Sequence, residues 1–156
     1  MALVELLLTP LPAHVRTARL VGVAAARRAG LDDAFVDELR LALGEACSRA
    51  VGLHARHAAD ELVKVTISDD PGGLVVTVVD LGPAAGPAPA DLAEGLLDDD
   101  DHDGDDELVD PDVALALITG LVDGVDITPS SAGTTVTMRW PLPVGAAPGA
   151  TAVSRT

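Results

Sequence analysis

Residues 38–51, ELRLALGEACSRAV, place apolar or small side chains at every third or fourth position. This spacing is typical of an amphipathic helix that turns one face toward a core. Asp32 and Asp33 stand ahead of the pattern as candidate N-caps, so we expect the helix to begin there and to end near His54. The apolar stripe consists of Val36, Leu39, Leu43, Ala46 and Ala50.

A strand and another helix precede this long helix. Residues 2–8 are dense in Leu and Val and end at a Thr-Pro-Leu-Pro break, which favours a buried strand. Residues 13–29 are rich in Ala and Arg, carry small or apolar side chains at steps of three and four, and are followed by Gly30. We therefore expect one strand and then two helices in the first part of the chain.

Strands and one more helix follow. Residues 63–68 alternate apolar with polar side chains, and a short Asp-Pro-Gly-Gly turn separates them from residues 74–80, LVVTVVD, so this region predicts a hairpin. Periodicity is then absent for about thirty residues, a length that compact domains rarely leave without a function. The last ordered segments are a helix over 111–124 that begins with Pro111 and strands over 125–128 and 134–140.

The order of these elements defines the fold class. It predicts an α/β sandwich of the α+β type, in which helices cover one face of a mixed β-sheet. A chain of 156 residues suits a single domain, which we place at residues 1–142, and the Gly, Ala and Pro content of residues 143–156 predicts a disordered tail. Phe35 and Trp140 are the only aromatic residues, so the core has to be aliphatic.

The charge of the chain excludes several classes of function. Ten Lys and Arg residues against 25 Asp and Glu residues give a formal net charge of -15, which repels nucleic-acid phosphates and anionic membrane surfaces. Cys47 is the single cysteine, so neither an intramolecular disulfide nor a zinc cluster is expected. The apolar N-terminal run contains Glu5 and stops at Pro10, which is too short for a signal or membrane helix, and we expect a cytoplasmic protein.

The acidic segment at residues 98–112 carries ten carboxylates and no basic residue. Three interpretations stay open: a solvated disordered loop, an acidic docking surface for a basic partner, and a calcium site. The calcium interpretation depends on an EF-hand-like spacing, although Pro111 follows the motif directly. The residues with that spacing are Asp99, Asp101, Asp103, Gly104, Asp105 and Asp110.

Three segments in this order resemble the Bergerat-fold ATPases. They are residues 38–51, residues 78–82 (VVDLG), and residues 114–127 (ALALITGLVDGVDI) followed by 133–140 (GTTVTMRW). Within that group the chain is most similar to the RsbW-type serine kinases that act as anti-sigma factors in bacteria. The resemblance covers residues 2–142 and implies a histidine-kinase-like ATPase domain, with the acidic segment in place of the ATP lid.

The resemblance assigns roles to two residues of the long helix. Glu45 matches the general base of the family. Four residues on, the family has an Asn that helps to hold magnesium, whereas this chain has Arg49, whose guanidinium has only donors and a positive charge and cannot ligate a cation. Because an acid four residues before a base on a helix forms a favourable pair, we expect Arg49 to neutralise Glu45, as in an ordinary surface ion pair.

Other positions of the nucleotide site are matched unevenly. Asp80 matches the Asp that accepts a hydrogen bond from the adenine amino group, and Gly82 matches the first glycine after it, but Ala84 replaces the second glycine. In the family, glycines cradle phosphate at the start of the third helix, and here Asp112 and Ala114 stand in their places. The family's Gly-Thr-Thr before the last strand is matched by Gly133, Thr134 and Thr135.

These departures predict a degenerate kinase that works by binding proteins. We expect an anti-sigma-factor-like regulator that sequesters a sigma factor, is countered by an anti-anti-sigma partner of the STAS type, and has neither kinase activity nor a cofactor. Arg19 matches the family's arginine that contacts both partners, and with Arg16 it defines a candidate partner surface on the first helix. The same helix could contact a second copy in a homodimer.

Two alternatives remain open at this point. In the first, the protein is an active serine kinase that uses ATP and magnesium, with Glu45 as the base and Asp80 as the adenine acceptor. Arg49 would then clamp phosphate in place of magnesium. In the second, the acidic segment makes the protein a calcium-sensing module.

Overall fold

The computed structural model describes residues 2–58, 60–82 and 111–144, and this part of the chain contains five strands and three helices. The expected tail from residue 145 onward and residues 98–110 of the acidic segment, with its calcium motif, lie outside the described residues. The elements are β1 (Ala2–Leu8), α1 (Pro12–Arg28), α2 (Asp33–His57), β2 (Val63–Asp70), β3 (Gly73–Asp80), α3 (Pro111–Leu121), β4 (Gly124–Ser130) and β5 (Gly133–Trp140).

The five strands form one sheet in the order β1-β2-β3-β5-β4, and the predicted α/β class is confirmed. The expectation of mixed pairing is not met, because all four neighbouring pairs are antiparallel. The helical connections explain this. Two helices between β1 and β2 carry the chain away and back, so β2 runs opposite to β1. The single helix α3 makes β4 parallel to β3, but β5 lies between those two strands.

The core lies between one face of the sheet and the helices, and α2 is its centre. Along β3 and β5 the buried side chains alternate with half-buried or exposed ones, as expected for a sheet that is covered on one face. α2 packs against α1, α3 and the central strands. Its Leu39 and Leu43 are fully buried, and Gly22 of α1 lets the Leu43 side chain approach so closely that a Cβ at that position would collide with it.

The aromatic residue of the core is tied to α2 by a polar contact. Trp140 is 2% exposed, and its Nε1–H donates a hydrogen bond of 2.9 Å to Glu38 Oε1. Buried Trp side chains generally satisfy this donor, because an unpaired N–H away from water is costly. The bond joins the end of β5 to the N-terminal half of α2. Among the described residues, no helix is long and apolar enough to cross a bilayer.

Glycines at the starts of β3 and β5 allow these strands to pair along their full length. Gly73 has φ +131° and lies against the carbonyl of Trp140, while Gly133 has φ +145° and lies against the carbonyl of Asp80. L-residues rarely adopt this backbone region, and a Cβ at either position would overlap the neighbouring strand. Gly133 therefore fixes the distance between β5 and the end of β3.

We predict that Gly133→Ala lowers the free energy of unfolding by about 2 kcal/mol or more, because it combines backbone strain with a clash against Asp80. Gly120→Ala is the matched control. Gly120 lies on α3 with open space where a Cβ would stand, so alanine should leave the stability unchanged or raise it by up to about 1 kcal/mol. Denaturant unfolding of the two variants checks this, and equal stabilities would contradict it.

Candidate functional site

A buried ion pair joins α2 to the end of β3. Arg49 Nη1 donates to Asp80 Oδ2 at 2.6 Å, and each side chain is 1% exposed. Asp80 is the last residue of β3, and Arg49 is on the face of α2 that covers the sheet. In a medium of low dielectric constant such a pair is strong once formed, and either charge would be costly alone.

The structure contradicts the expected pair between Glu45 and Arg49. Arg49 bonds to Asp80, and its other two guanidinium nitrogens, Nε and Nη2, have no hydrogen-bond partner among the described residues. Glu45 is only half-buried, one turn earlier on α2. The spacing of four residues allowed a local pair, but a carboxylate in the interior attracts a guanidinium more strongly than one that water can reach.

Both oxygens of the Asp80 carboxylate are engaged. Oδ2 accepts from Arg49, and Oδ1 accepts the backbone N–H of Gly82 at 3.1 Å. Gly82 is buried, and a Cβ there would stand 2.9 Å from Leu53 Cβ, so glycine is needed for the turn to lie against α2. The carboxylate that the resemblance assigns to an adenine amino group is therefore occupied by a side chain of the protein itself.

His54 is a further residue of the site. From the sequence it was predicted only as the end of the long helix α2. It is fully buried, its Nε2 lies 2.8 Å from the N–H of Leu81, and its Nδ1 lies 2.8 Å from the carbonyl of Glu61. Since Leu81 N–H is a donor and the Glu61 carbonyl an acceptor, the bonds require a neutral ring with the proton on Nδ1. His54 thus joins the turn after β3 to the segment just before β2. In the sequence, His54 lies four residues after Ala50 and so continues the apolar stripe of α2. This spacing was the signal for a buried side chain.

Thr134 faces Asp80 across the ladder of β3 and β5. Its side chain is buried, and its Oγ1 has no hydrogen-bond partner in the part of the chain that the structure describes. Thr135, the next residue, is half-buried on the opposite face of the sheet. The structure therefore brings Asp80, Gly82 and Arg49 together with Gly133 and Thr134, and leaves Thr135 outside this cluster.

Two further positions of the expected nucleotide site lie on α3. Asp112 is in its first turn, and Ala114 is buried. Ala84 and the segment ahead of the helix fall outside the described residues. In the ranges that the structure describes, no group of three or more His, Cys, Asp or Glu side chains could hold a metal ion.

The predicted partner residues lie on α1, which contributes no residue to this cluster. Arg16 is exposed. Arg19 is half-buried, and its guanidinium lies against Gly44 of α2 so closely that a Cβ at Gly44 would collide with it. Gly44 therefore leaves the space in which the Arg19 guanidinium lies. α1 contains four Arg residues and no acidic residue, so its exposed surface is basic in a strongly acidic chain.

Cys47 is a residue of α2 and is fully buried. Burial raises the pKa of its thiol to about 12, and the nearby Arg19 charge opposes that rise in part. The thiol is therefore protonated at neutral pH and behaves as a small apolar side chain.

We predict that Arg49→Ala costs about 3–5 kcal/mol of unfolding free energy, because it leaves the Asp80 carboxylate buried and unpaired. Arg40→Ala is the matched control, since Arg40 pairs with Asp37 at 2.8 Å on the exposed side of the same helix. That substitution should change the stability by less than about 0.5 kcal/mol. Urea unfolding compares the two variants, and a loss below about 1 kcal/mol for Arg49→Ala would show that the buried pair does not tie α2 to β3.

We predict a contribution of Cys47 to stability that is present at neutral pH and is lost in alkali. The folded pKa of about 12 lies above the ordinary value of 9.0, so the folded state keeps the proton longer and stability falls as the pH rises from 9 toward 12. The slope is at most about 1.4 kcal/mol per pH unit. Unfolding between pH 8 and 10.5 should show this slope in the wild type but not in Cys47→Ala, and identical slopes would contradict the assignment.

Comparison with known proteins agrees with the fold described above. A family model described as Histidine kinase-like ATPase domain matches residues 8–140. The crystal structure of the RsbU and RsbW domains of Rv1364c from Mycobacterium tuberculosis is similar to this chain with a TM-score of 0.63 and 18% sequence identity, a likeness of fold. It covers 89% of this chain but 32% of that chain. No curated protein sequence matches this one. Because the family model covers most of its length, the chain belongs to the histidine kinase-like ATPase family.

Proposed function

We propose that this protein is a regulator of the partner-switching type, which binds and sequesters a sigma factor without acting as a kinase. Membership of the histidine kinase-like ATPase family and the fold likeness to a structure containing RsbU and RsbW domains support the regulatory class. The observation that carries the proposal is the buried bond between Arg49 and Asp80. Through this bond the Asp80 carboxylate, which the resemblance assigns to binding adenine, becomes part of the protein core.

The chemistry of the site favours binding over catalysis. A kinase of this family needs magnesium. The residue at the expected magnesium-binding position is Arg49, whose guanidinium has no lone pair to offer a cation. Glu45 stands where a base is expected, but a base without a bound phosphate donor transfers nothing. In this proposal the protein uses neither ATP nor magnesium. Kinase activity is the principal result that would overturn the proposal.

The partner surface in this proposal is the exposed side of α1. Arg16 is exposed there, and the guanidinium of Arg19 lies over Gly44 of α2. A basic surface on an acidic chain directs a partner with acidic groups to one place, because the rest of the molecule repels it. A sigma factor and an anti-anti-sigma protein of the STAS type would compete for this surface by mass action in the cytoplasm.

The proposal is tested by titrating the purified protein with each sigma factor encoded in the same genome. We predict that one of them binds in the absence of nucleotide, that Arg19→Glu weakens the complex by at least about tenfold, and that ATP with magnesium leaves the affinity unchanged. Arg40→Ala is the control for a surface arginine outside the proposed interface.

Two results would contradict the proposed function. One is the absence of binding to every sigma factor by a folded sample. The other is transfer of phosphate from ATP to a serine of an anti-anti-sigma protein that is lost in Glu45→Ala, because this would establish the kinase. Equal effects of Arg19→Glu and Arg40→Ala would remove α1 from the interface while leaving the class of function in place.

A further inference from the structure

β1 forms one edge of the sheet, because β2 is its only neighbour in the strand order of the described residues. The backbone N–H and C=O groups on its other side have no strand partner in that part of the chain. Such an edge is a template for pairing with another strand, and folded proteins usually protect it with charges, proline or a short strand. The sheet has a second edge at β4, and the two edges differ in this protection.

The edge at β4 is protected. Pro129 interrupts it, since proline has no N–H to donate, and its exposed side chains are polar apart from this proline. β1 has seven residues without proline, and Glu5 is its one charged residue. Lys64 of β2 neutralises that charge, because its Nζ lies 2.9 Å from Glu5 Oε2. The edge at β1 is therefore apolar and carries no net charge.

The apolar side chains of β1 are only partly covered. Leu7 is on the open face of the sheet and is 57% exposed. Val4 and Leu6 are on the core face, where they pair with Ile67 and Val65 of β2. These two residues of β2 are fully buried, whereas Val4 and Leu6 are only half-buried. The core thus extends to the edge of the sheet and is incompletely covered there.

We propose that β1 pairs antiparallel with β1 of a second copy of this chain, so that two five-stranded sheets join into one continuous sheet. A two-fold interface of this kind brings the same strand of each copy together. In the register that places Leu6 opposite Leu6 of the second copy, Val4 lies opposite Leu8 of the second copy and continues the apolar core. On the open face, the same register places Glu5 opposite Leu7 of the second copy.

The charges at this edge favour a second copy as the occupant. The chain has a net charge of -15, so two copies repel each other over most of their surface. At β1 the charges of Glu5 and Lys64 cancel, and the register centred on Leu6 keeps the two glutamates out of direct opposition. A register centred on Glu5 would place like charges opposite each other, which destabilises a strand pair. The contact uses no residue of α1, so the inference is independent of the proposed function.

Sedimentation velocity of the full chain tests this pairing. We expect the wild type to be dimeric at about 100 μM and Leu7→Glu to raise the dissociation constant at least about tenfold, because it places a carboxylate opposite Glu5 of the second copy. Leu7→Lys places an ammonium group there instead and should keep the dissociation constant within about threefold of the wild type. Leu117→Glu is the matched control, since Leu117 is 47% exposed on α3, and it should leave the dimer unchanged.

Hydrogen exchange of the wild type is a second measurement that needs no variant. When the protein is concentrated, the amides of β1 should exchange more slowly, while those of β4 at the other edge should not change. If Leu7→Glu does not fold, this measurement decides. The proposal is overturned if the wild type is monomeric at about 100 μM, or if Leu7→Glu and Leu7→Lys weaken the dimer equally. It is also overturned if Leu117→Glu acts like Leu7→Glu, or if the protection grows at β4 and not at β1.

Discussion

The bond between Arg49 and Asp80 is the interaction on which the arrangement of the site depends. It places a positive charge from α2 and a negative charge from the end of β3 in the interior, where neither is stable without the other. Around it, the Gly82 and Leu81 N–H groups bond to Asp80 and His54, and Gly133 allows β5 to approach the same strand end. The contact between α2 and the end of β3 is therefore polar, while the core around it is aliphatic.

This arrangement gives a physical reason for the proposal that this member of an ATPase family works without ATP. A nucleotide site needs an accessible hydrogen-bond acceptor for the adenine base and ligands for the metal ion. Here the acceptor, Asp80, is bonded to Arg49, which cannot ligate a metal ion. In the proposed function, Arg49 stands in place of the metal ligand and also supplies an internal donor to the position expected for the adenine base. The proposal accordingly assigns both losses to one side chain and places partner binding on the basic surface of α1.

The sequence was sufficient for the elements and insufficient for their tertiary contacts. The stripe of Leu39 and Leu43 predicted α2 correctly, since helical periodicity is local, and the positions of Asp80 and Gly133 were identified from short motifs. The predicted partner of Arg49, Glu45, was wrong. The rule that an acid and a base four residues apart form a pair takes no account of Asp80, which lies 31 residues away in sequence but next to Arg49 in space. The mixed sheet was wrong for a related reason: the insertion of β5 between β3 and β4 is a matter of topology, which periodicity does not encode.

The most direct test of the central claim is a calorimetric titration of the wild-type protein with ADP, in the presence and absence of magnesium. If the Arg49 guanidinium occupies the acceptor on Asp80, no heat of binding should be detected up to about 1 mM ADP in a sample shown to be folded. A dissociation constant below about 100 μM, which corresponds to roughly -5.5 kcal/mol, would mean that a nucleotide displaces or bypasses Arg49 and would contradict the account.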